Sequence, residues 1–247
     1  MIIAGLQKLT LIDYPGKVAA VLFTYGCNFA CAFCHNPELV DAKLKNKNKF
    51  ISEEEFFKFL NKRQGLIEGV CITGGEPTLH QDLPEFIAQI KALGFLVKLD
   101  SNGTNPPVLK NLISKKLVDY IAMDIKAPLN RYQEITRRKT DLEKIKKSIR
   151  LIIDGAVNVP GTNKKNQGSA YDYEFRSTLV PGFHETDDVR QMAKLIKGAK
   201  KYYLQNFISQ GKILESSWQT KRSFTKEEME DFQKIAVPHV DFCGIRM

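Results

Sequence analysis

The sequence lacks several features that would assign it to a common class of protein at once. No apolar run approaches the roughly 20 residues that a membrane-spanning helix needs. The first residues, MIIAGLQKLTLIDYPG, lack the basic start and the apolar stretch of a signal peptide. Neither a Ser-His-Asp arrangement nor a Gly-rich phosphate loop is present, so hydrolase and kinase chemistry has no support. We therefore expect a cytoplasmic protein without a membrane contact.

Paired cysteines are lacking as well. The 247 residues contain five cysteines, an odd number, and three of them fall within eight positions. A chain of this length folds a core without disulfides, so clustered thiols in a cytosolic protein indicate metal or redox chemistry. Cys27, Cys31 and Cys34 form a C-x3-C-x2-C array, whereas Cys71 fits the core of a strand and Cys243 carries no motif.

Two kinds of metal site are compatible with this array. Zinc needs four ligands, but His35 is adjacent to Cys34 and sterically awkward as the fourth, and no second pair of close cysteines exists. Remote ligation by Cys71 or Cys243 stays open. An iron–sulfur cluster fits better, because a four-iron cube normally takes four cysteines. Three thiolates would leave one iron open to bind a ligand.

An excess of nine positive charges is confined to two segments of the chain. Residues 43–63 carry a net +4 and residues 137–150 a net +5, while the rest of the chain is neutral. These segments predict solvated basic faces, or a docking surface for an acidic partner such as a small electron carrier. No basic stretch is interleaved with aromatic residues, so a nucleic-acid partner is not expected.

Apolar runs and helix-start signals alternate along the chain. Strands are predicted over Ala19–Thr24, Val70–Thr73, Phe95–Leu99, Tyr120–Ile125, Tyr173–Val180 and Lys201–Leu204. Capping boxes that begin with Ser52, Thr140 and Thr225 predict helix starts. About six strand–helix units predict an α/β fold with a parallel sheet, open or curled into a barrel, and a site at its carboxyl edge. Residues 158–170 have no periodicity and predict an inserted flexible loop.

Two motifs taken together resemble the radical S-adenosylmethionine superfamily. They are the cysteine array with Phe33 before its last cysteine, and Gly74-Gly75-Glu76-Pro77 at the end of a strand. The blocks at residues 11–17, 26–29 and 34–39 are similar to activating enzymes of glycyl radical enzymes, in particular those of anaerobic ribonucleoside-triphosphate reductase. The resemblance implies a single-domain partial (β/α)6 barrel of the radical S-adenosylmethionine type over residues 1–247. It weakens over 158–170 and over 208–247, which we interpret as a C-terminal extension.

The resemblance also implies the cofactors and their ligands. A [4Fe-4S] cluster would be bound by the cysteine array, and S-adenosylmethionine would be split into methionine and a 5′-deoxyadenosyl radical. The residues implied to bind S-adenosylmethionine are Phe33, Gly74, Gly75, Glu76, Asp100, Ser101, Asn102, Asp124, Lys126, Arg176 and Gln205. No catalytic residue is implied beyond the two cofactors.

Some of these residues have an expected partner on the ligand. Glu76 suits the methionyl amino group, Lys126 the carboxylate and Phe33 the adenine. Asp100 and Asp124 match acids that hold a monovalent cation in related activases, since two carboxylates that face an anionic ligand need a counter-ion.

As an enzyme, the chain would therefore be an activase that removes a hydrogen atom from a glycine of a partner. Anaerobic ribonucleotide reductase is the expected partner, and a flavodoxin- or ferredoxin-type protein the expected electron donor. The alternative is a radical S-adenosylmethionine enzyme that acts on a small molecule, such as a pterin or deazaguanine precursor. A zinc module or an electron carrier would leave Glu76 and Lys126 without a task.

Overall fold

The computed structural model describes residues 1–40, 50–157 and 171–247. Within them one sheet has the strand order β1 to β8, so every strand lies beside its neighbour in the chain. The strands are β1 (Ile3–Thr10), β2 (Ala19–Thr24), β3 (Gly69–Gly74), β4 (Leu96–Ser101), β5 (Tyr120–Asp124), β6 (Asp172–Leu179), β7 (Tyr202–Asn206) and β8 (Cys243–Arg246). β1 pairs antiparallel with β2, and all later pairs are parallel.

Helices connect the parallel strands, as their repeated crossovers require. They are α1 (Glu53–Asn61), α2 (Leu83–Ala92), α3 (Pro106–Ser114), α4 (Tyr132–Thr136), α5 (Leu142–Val157), α6 (Thr186–Leu195) and α7 (Lys226–Ala236). The six strand–helix units from β2 to α7 confirm the predicted fold class. The predicted insert at 158–170 lies outside the described residues. No helix of the described residues has the length and apolar content to span a membrane.

Side chains that cap the helices explain where three of them begin. Thr225 forms the predicted reciprocal capping box at α7, whereas α1 has only the Ser52 half of its predicted box, a bond from the Glu55 N–H to the Ser52 hydroxyl. The prediction for Thr140 was wrong by one residue. The Asp141 carboxylate accepts a bond from the Glu143 N–H at 3.1 Å, while the Thr140 hydroxyl donates to a backbone carbonyl before the helix.

The two faces of the sheet bury different kinds of side chain. On β4, Val97 and Leu99 point into the large apolar core that includes residues of the helices, whereas Lys98 and Asp100 alternate with them and lie on the opposite, inner face. The inner face has a small separate apolar cluster of Tyr14, Ala19, Tyr120 and Ala122. Charged side chains therefore occupy the inside of this curved sheet, near its carboxyl edge.

Candidate functional site

A cavity of about 360 Å³ lies at the carboxyl edge of the parallel strands. Most of the residues singled out in the sequence line it together: Cys27, Cys31, Phe33, Cys34, Gly74, Gly75, Glu76, Asp100, Ser101, Asn102, Asp124, Lys126 and Gln205. Arg176 is not among the described residues that line the cavity, but it is bonded to Asp100 and Asp124, which do. Strand ends that are far apart in sequence thus build one site, as expected for a parallel sheet.

The loop after β2, residues 26–36, carries the three cysteines of the array and is fixed by backbone bonds from two distant segments. Ala30 N–H donates to the carbonyl of Thr136 at 2.8 Å, at the end of α4. From the C-terminal part of the chain, Leu214 N–H donates to the Cys34 carbonyl and Glu215 N–H to the Ala32 carbonyl, both at 3.0 Å. The sequence has no signal for this second contact, because residues 214–215 are not in a regular element.

All five cysteines are free thiols. Burial raises the pKa of Cys27 to about 12 and that of Cys31 to about 11, so both are protonated at neutral pH when no metal is bound. Metal binding would release these protons, because the thiolate is the ligand. Among the described residues, no three His, Cys, Asp or Glu side chains are arranged to hold a single metal ion. Three soft thiolates are the type of ligand that an iron–sulfur cluster takes.

Gly74 and Gly75 bring the end of β3 against the loop of the cysteine array. Gly74 has φ +112°, which favours glycine, and a Cβ on Gly75 would lie 1.9 Å from the Gly26 carbonyl oxygen. At this close approach Gly75 N–H donates to Thr24 at 2.9 Å, and Glu76 N–H donates to Gly26 at 2.8 Å. The backbone conformation and the close approach therefore require glycine at both positions, in addition to the ligand contact predicted for them.

Glu76 is buried, with 1% of its surface exposed, and its carboxylate has hydroxyl and amide donors as partners. Oε1 accepts bonds from the Thr78 amide and hydroxyl and from the Ser101 hydroxyl, at 3.2, 2.5 and 2.9 Å. Oε2 accepts one bond, from the Asn102 N–H at 2.6 Å. Burial raises the pKa of Glu76, although these hydrogen bonds oppose the rise. Oε2 keeps acceptor capacity towards the cavity, as the predicted contact with an amino group requires.

Asn102 ties the end of β4 to the loop of the cysteine array. Its amide donates to the Asn28 side-chain oxygen at 2.8 Å, and its own oxygen accepts two bonds from Thr104. Asn28 in turn donates to the Thr104 hydroxyl at 2.9 Å. Asn28 belongs to the block at residues 26–29, but no role at the site was predicted for it. Its position next to Cys27 was the available signal, since Asn28 is exposed and no burial requires a partner for it.

Five charged side chains from three adjacent strands form a continuous series, here called the charge chain: Lys98, Asp100, Arg176, Asp124 and Lys126. Lys98 bonds Asp100 Oδ1, and Arg176 bonds Asp100 Oδ2 at 3.2 Å and Asp124 Oδ1 at 3.0 Å. Lys126 bonds Asp124 Oδ2 at 3.0 Å. Asp100, Asp124 and Lys126 line the cavity, whereas Lys98 and Arg176 lie beneath it.

The charges in this series hold each other in their ionised forms. Burial alone would raise the pKa of Asp100 and Asp124, but Arg176 with Lys98 lowers the pKa of Asp100, and Arg176 with Lys126 lowers that of Asp124, below the usual range of aspartate. Burial alone would lower the pKa of Lys126, and Asp124 raises it above its ordinary value. The buried guanidinium of Arg176 is thus paired with both strand-end acids.

Lys126 is also placed by contacts outside the charge chain. Its ammonium lies 5.4 Å from the centre of the ring of Phe33, the residue that directly precedes the last cysteine of the array. Behind it, His184 accepts a bond from Val180 N–H at Nδ1 and contacts the Lys126 carbonyl with Nε2, each at 3.0 Å. Burial lowers the pKa of His184 to about 4, so it is neutral and Nε2–H is the donor. The sequence offered no motif for this histidine.

The chain is similar to known proteins over the part that carries most of these residues. The family model described as the radical SAM superfamily matches residues 21–164. A Methanocaldococcus jannaschii protein, provisionally named a glycyl-radical enzyme activating enzyme, is 36% identical over 99% of this chain and 95% of its own. A Sulfolobus acidocaldarius protein, provisionally named a GTP 3′,8-cyclase, is 37% identical over 38% of this chain and 28% of its own.

The fold is also found among solved structures. SuiB of Streptococcus suis matches with a TM-score of 0.63 and 10% identity, over 91% of this chain and 47% of its own. SuiB has also been solved with S-adenosylmethionine bound. At this level of identity the match concerns the fold alone.

Proposed function

The chain belongs to the radical S-adenosylmethionine superfamily, whose cofactors are a [4Fe-4S] cluster and S-adenosylmethionine, and on that premise we propose that it is a glycyl-radical-enzyme activase. We propose further that its partner is an anaerobic ribonucleoside-triphosphate reductase. The observation that carries the activase proposal is the match to the M. jannaschii protein, which spans nearly the whole of both chains. The motif blocks at residues 11–17 and 34–39 support the choice of partner.

The residues of the cavity have separate tasks in this proposal. When bound, the cluster and S-adenosylmethionine supply the radical that removes a hydrogen atom from the partner's glycine. Cys27, Cys31 and Cys34 hold the cluster in the loop after β2. Glu76 receives the amino group of the ligand at Oε2, and Lys126 attracts its carboxylate. The buried walls hold the ligand in one orientation and exclude water from it.

A small-molecule substrate is the second candidate, and the match to the cyclase favours it. That match covers 38% of this chain and 28% of the cyclase, so most of the cyclase lies outside the match. The activase relative has no such unmatched portion. We therefore place the pterin or deazaguanine alternative second.

The decisive experiment mixes the anaerobically reconstituted, reduced protein with S-adenosylmethionine and the anaerobic ribonucleotide reductase of the same organism. A glycyl radical signal in electron paramagnetic resonance is the expected result. Release of 5′-deoxyadenosine without a radical on the reductase would favour the small-molecule alternative. If no 5′-deoxyadenosine is released under any of these conditions, both candidates fail.

Two cysteine variants provide a matched control for the cluster. Cys27→Ala removes a proposed ligand and should lose most of the iron and sulfide bound after reconstitution. Cys243→Ala removes a buried thiol of β8, at the opposite end of the chain, and should bind iron like the unmodified protein. Equal iron content in the two variants would contradict the proposed ligand set.

The electron donor of the proposed reaction is a flavodoxin- or ferredoxin-type protein, which is acidic and can dock on a basic surface. Arg138, Lys139 and Lys144 are exposed next to Thr136, whose carbonyl is bonded to the loop of the cysteine array. We call these three residues the basic edge. Lys58 of α1 and Lys62, which directly follows α1, are equally exposed in the other basic segment. The basic edge is the better docking site, because it adjoins the proposed cluster loop directly.

Charge reversal separates these two surfaces. Arg138→Glu with Lys139→Glu should lower the rate of reduction by flavodoxin about tenfold at low salt, and leave reduction by dithionite unchanged. Lys58→Glu with Lys62→Glu is the matched control and should leave both rates unchanged. An equal loss in the two double variants would show that net charge, rather than the basic edge, attracts the donor. A cytoplasmic location is part of the proposal, since five free thiols suit a reducing compartment.

A further inference from the structure

Lys98 is the most deeply buried charge of the charge chain, with 2% of its surface exposed. It lies in the middle of β4, and its ammonium contacts Asp100 and, at 3.6 Å, the sulfur of Cys71. An ammonium in such a place is costly unless a carboxylate compensates it. The free-energy cost of burying this ammonium suggests that Lys98 serves the site that Asp100 lines.

Every carboxylate oxygen of Asp100 and Asp124 already has a cationic partner. Each of their four oxygens already accepts a bond from a cationic side chain of this protein: Lys98, Arg176 twice, and Lys126. A potassium or sodium ion placed against these oxygens would meet three positive groups. The residues present therefore do not fit the monovalent cation that the sequence led us to expect at this pair of acids.

The charge count of the charge chain explains what Lys98 contributes. Three cations against two carboxylates leave one positive charge, which the carboxylate of a bound amino acid ligand would neutralise. Without Lys98 the series would be neutral, and the ligand carboxylate would face Asp100 with one of its oxygens uncompensated. The alternative is a purely structural role, in which Lys98 only stabilises β4.

We propose that Lys98 is the built-in counter-ion of this site, which takes the place of a monovalent metal ion and makes S-adenosylmethionine binding independent of potassium and sodium. The inference rests on the proposed S-adenosylmethionine site and does not depend on the identity of the partner. Lys98 acts through Asp100 and is thus a positioning residue.

The test measures the affinity of the reconstituted protein for S-adenosylmethionine by equilibrium dialysis in different salts. Potassium chloride, sodium chloride and choline chloride are compared at equal ionic strength, because choline is too large to enter a carboxylate pair. The unmodified protein should bind with the same affinity, within about twofold, in all three salts. A loss of about tenfold or more in choline would overturn the proposal.

Two variants at the same position sharpen the test. Lys98→Met keeps the length of the side chain and removes its charge, so affinity should fall about tenfold or more in choline. Potassium or sodium should restore most of that affinity, because an ion can then occupy the place of the ammonium. Lys98→Arg keeps the charge and should remain independent of the salt. A role limited to the stability of β4 would produce no response to the cation.

The remaining outcomes are also distinguishable. If Lys98→Met binds as tightly as the unmodified protein in every salt, Lys98 is not the counter-ion. If Lys98→Met does not fold, the salt series on the unmodified protein and on Lys98→Arg still decides. If the unmodified protein binds no S-adenosylmethionine in any salt, the proposed function itself fails, which differs from binding that requires potassium.

Discussion

Two buried polar groups lie on the inner face of the same sheet and differ in their charge balance. The charge chain has five ionised side chains and one unneutralised positive charge next to the cavity. The Glu174 cluster consists of Glu174, Arg246 and Tyr120. Arg246 donates to both carboxylate oxygens of Glu174 at 3.0 and 2.8 Å, and the Tyr120 hydroxyl donates at 2.9 Å. This second group is neutral overall and complete without a ligand.

The difference indicates which group serves binding and which serves the fold. A balanced buried ion pair has no remaining charge with which to attract a ligand, and breaking it destabilises the protein. An unbalanced series beside a cavity keeps a free charge that an anionic ligand can neutralise. We therefore expect changes in the charge chain to act mainly on ligand affinity, and changes in the Glu174 cluster to act mainly on stability.

The largest expected effect comes from Arg176, which joins the two acids of the charge chain. Arg176→Met leaves Asp100 and Asp124 without the cation between them and removes the excess positive charge. The affinity for S-adenosylmethionine should fall about a hundredfold, which corresponds to roughly 3 kcal/mol. Equilibrium dialysis of the reconstituted variant measures it. A variant that loses stability but keeps its affinity would place the charge chain in the same class as the Glu174 cluster.

The matched change in the other group is Arg246→Met. Glu174 is 1% exposed and would retain only the Tyr120 hydroxyl of its present partners. The free energy of unfolding should fall by about 2–3 kcal/mol, less than for a fully buried pair because Arg246 is one-third exposed. Anaerobic urea denaturation followed by circular dichroism measures this. Affinity for S-adenosylmethionine, in protein that remains folded, should change less than twofold; a hundredfold loss would remove the distinction between the two groups.

A smaller effect is expected at Tyr120. Burial and the Glu174 carboxylate raise the pKa of Tyr120, so its hydroxyl remains a donor across the ordinary pH range. Tyr120→Phe keeps the ring in the apolar cluster and removes one hydrogen bond to a charged group, at a cost of about 1–2 kcal/mol in unfolding free energy. The same denaturation measurement applies. A loss equal to that of Arg246→Met would mean that the hydroxyl, rather than the guanidinium, holds Glu174.

The sequence predicted the six central strands well because each of them is a short segment between turn signals, either an apolar run, as in β2, or an alternation of apolar and polar residues, as in β6. Ala19–Thr24 coincides with β2 at both ends. The two edge strands were missed for physical reasons. β1 has three consecutive exposed residues, so its pattern does not alternate, and β8 is only four residues long. Both depend on pairing with a neighbour rather than on their own composition.

The same contrast holds for the two polar groups. Asp100, Asp124 and Lys126 follow predicted strands, so their convergence on one edge could be foreseen from the topology alone. Lys98 was hidden inside an apolar strand, although its period-two relation to Asp100 places both on one face. The pairing of Glu174 with Arg246 joins residues 72 positions apart through a strand that the sequence did not reveal. Side-chain partners across an unpredicted strand cannot be read from a single sequence.

The smallest expected effect concerns His184, which supports the charge chain without carrying a charge. Its pKa of about 4 lies below the unfolded value of about 6.5, so the unfolded chain binds the extra proton first as the pH falls. Stability is therefore full above pH 6.5 and decreases between pH 6.5 and pH 4. From pH 7 to pH 5.5 the loss should be about 1 kcal/mol. Asp188 and Arg131 act on this histidine with opposite sign and leave the direction unchanged.

His184→Gln tests this expectation, because glutamine can offer an acceptor to Val180 N–H or a donor to the Lys126 carbonyl and does not titrate. The variant should be less stable than the unmodified protein at pH 7, and the difference should shrink by about 1 kcal/mol at pH 5.5. Anaerobic urea denaturation at the two pH values measures both proteins. A constant difference would mean that the pKa of His184 is the same in the folded and the unfolded protein, so that the folded protein binds the proton as the pH falls to 5.5. His184 would then place a second unneutralised positive charge behind Lys126, in addition to the one that the charge chain already carries.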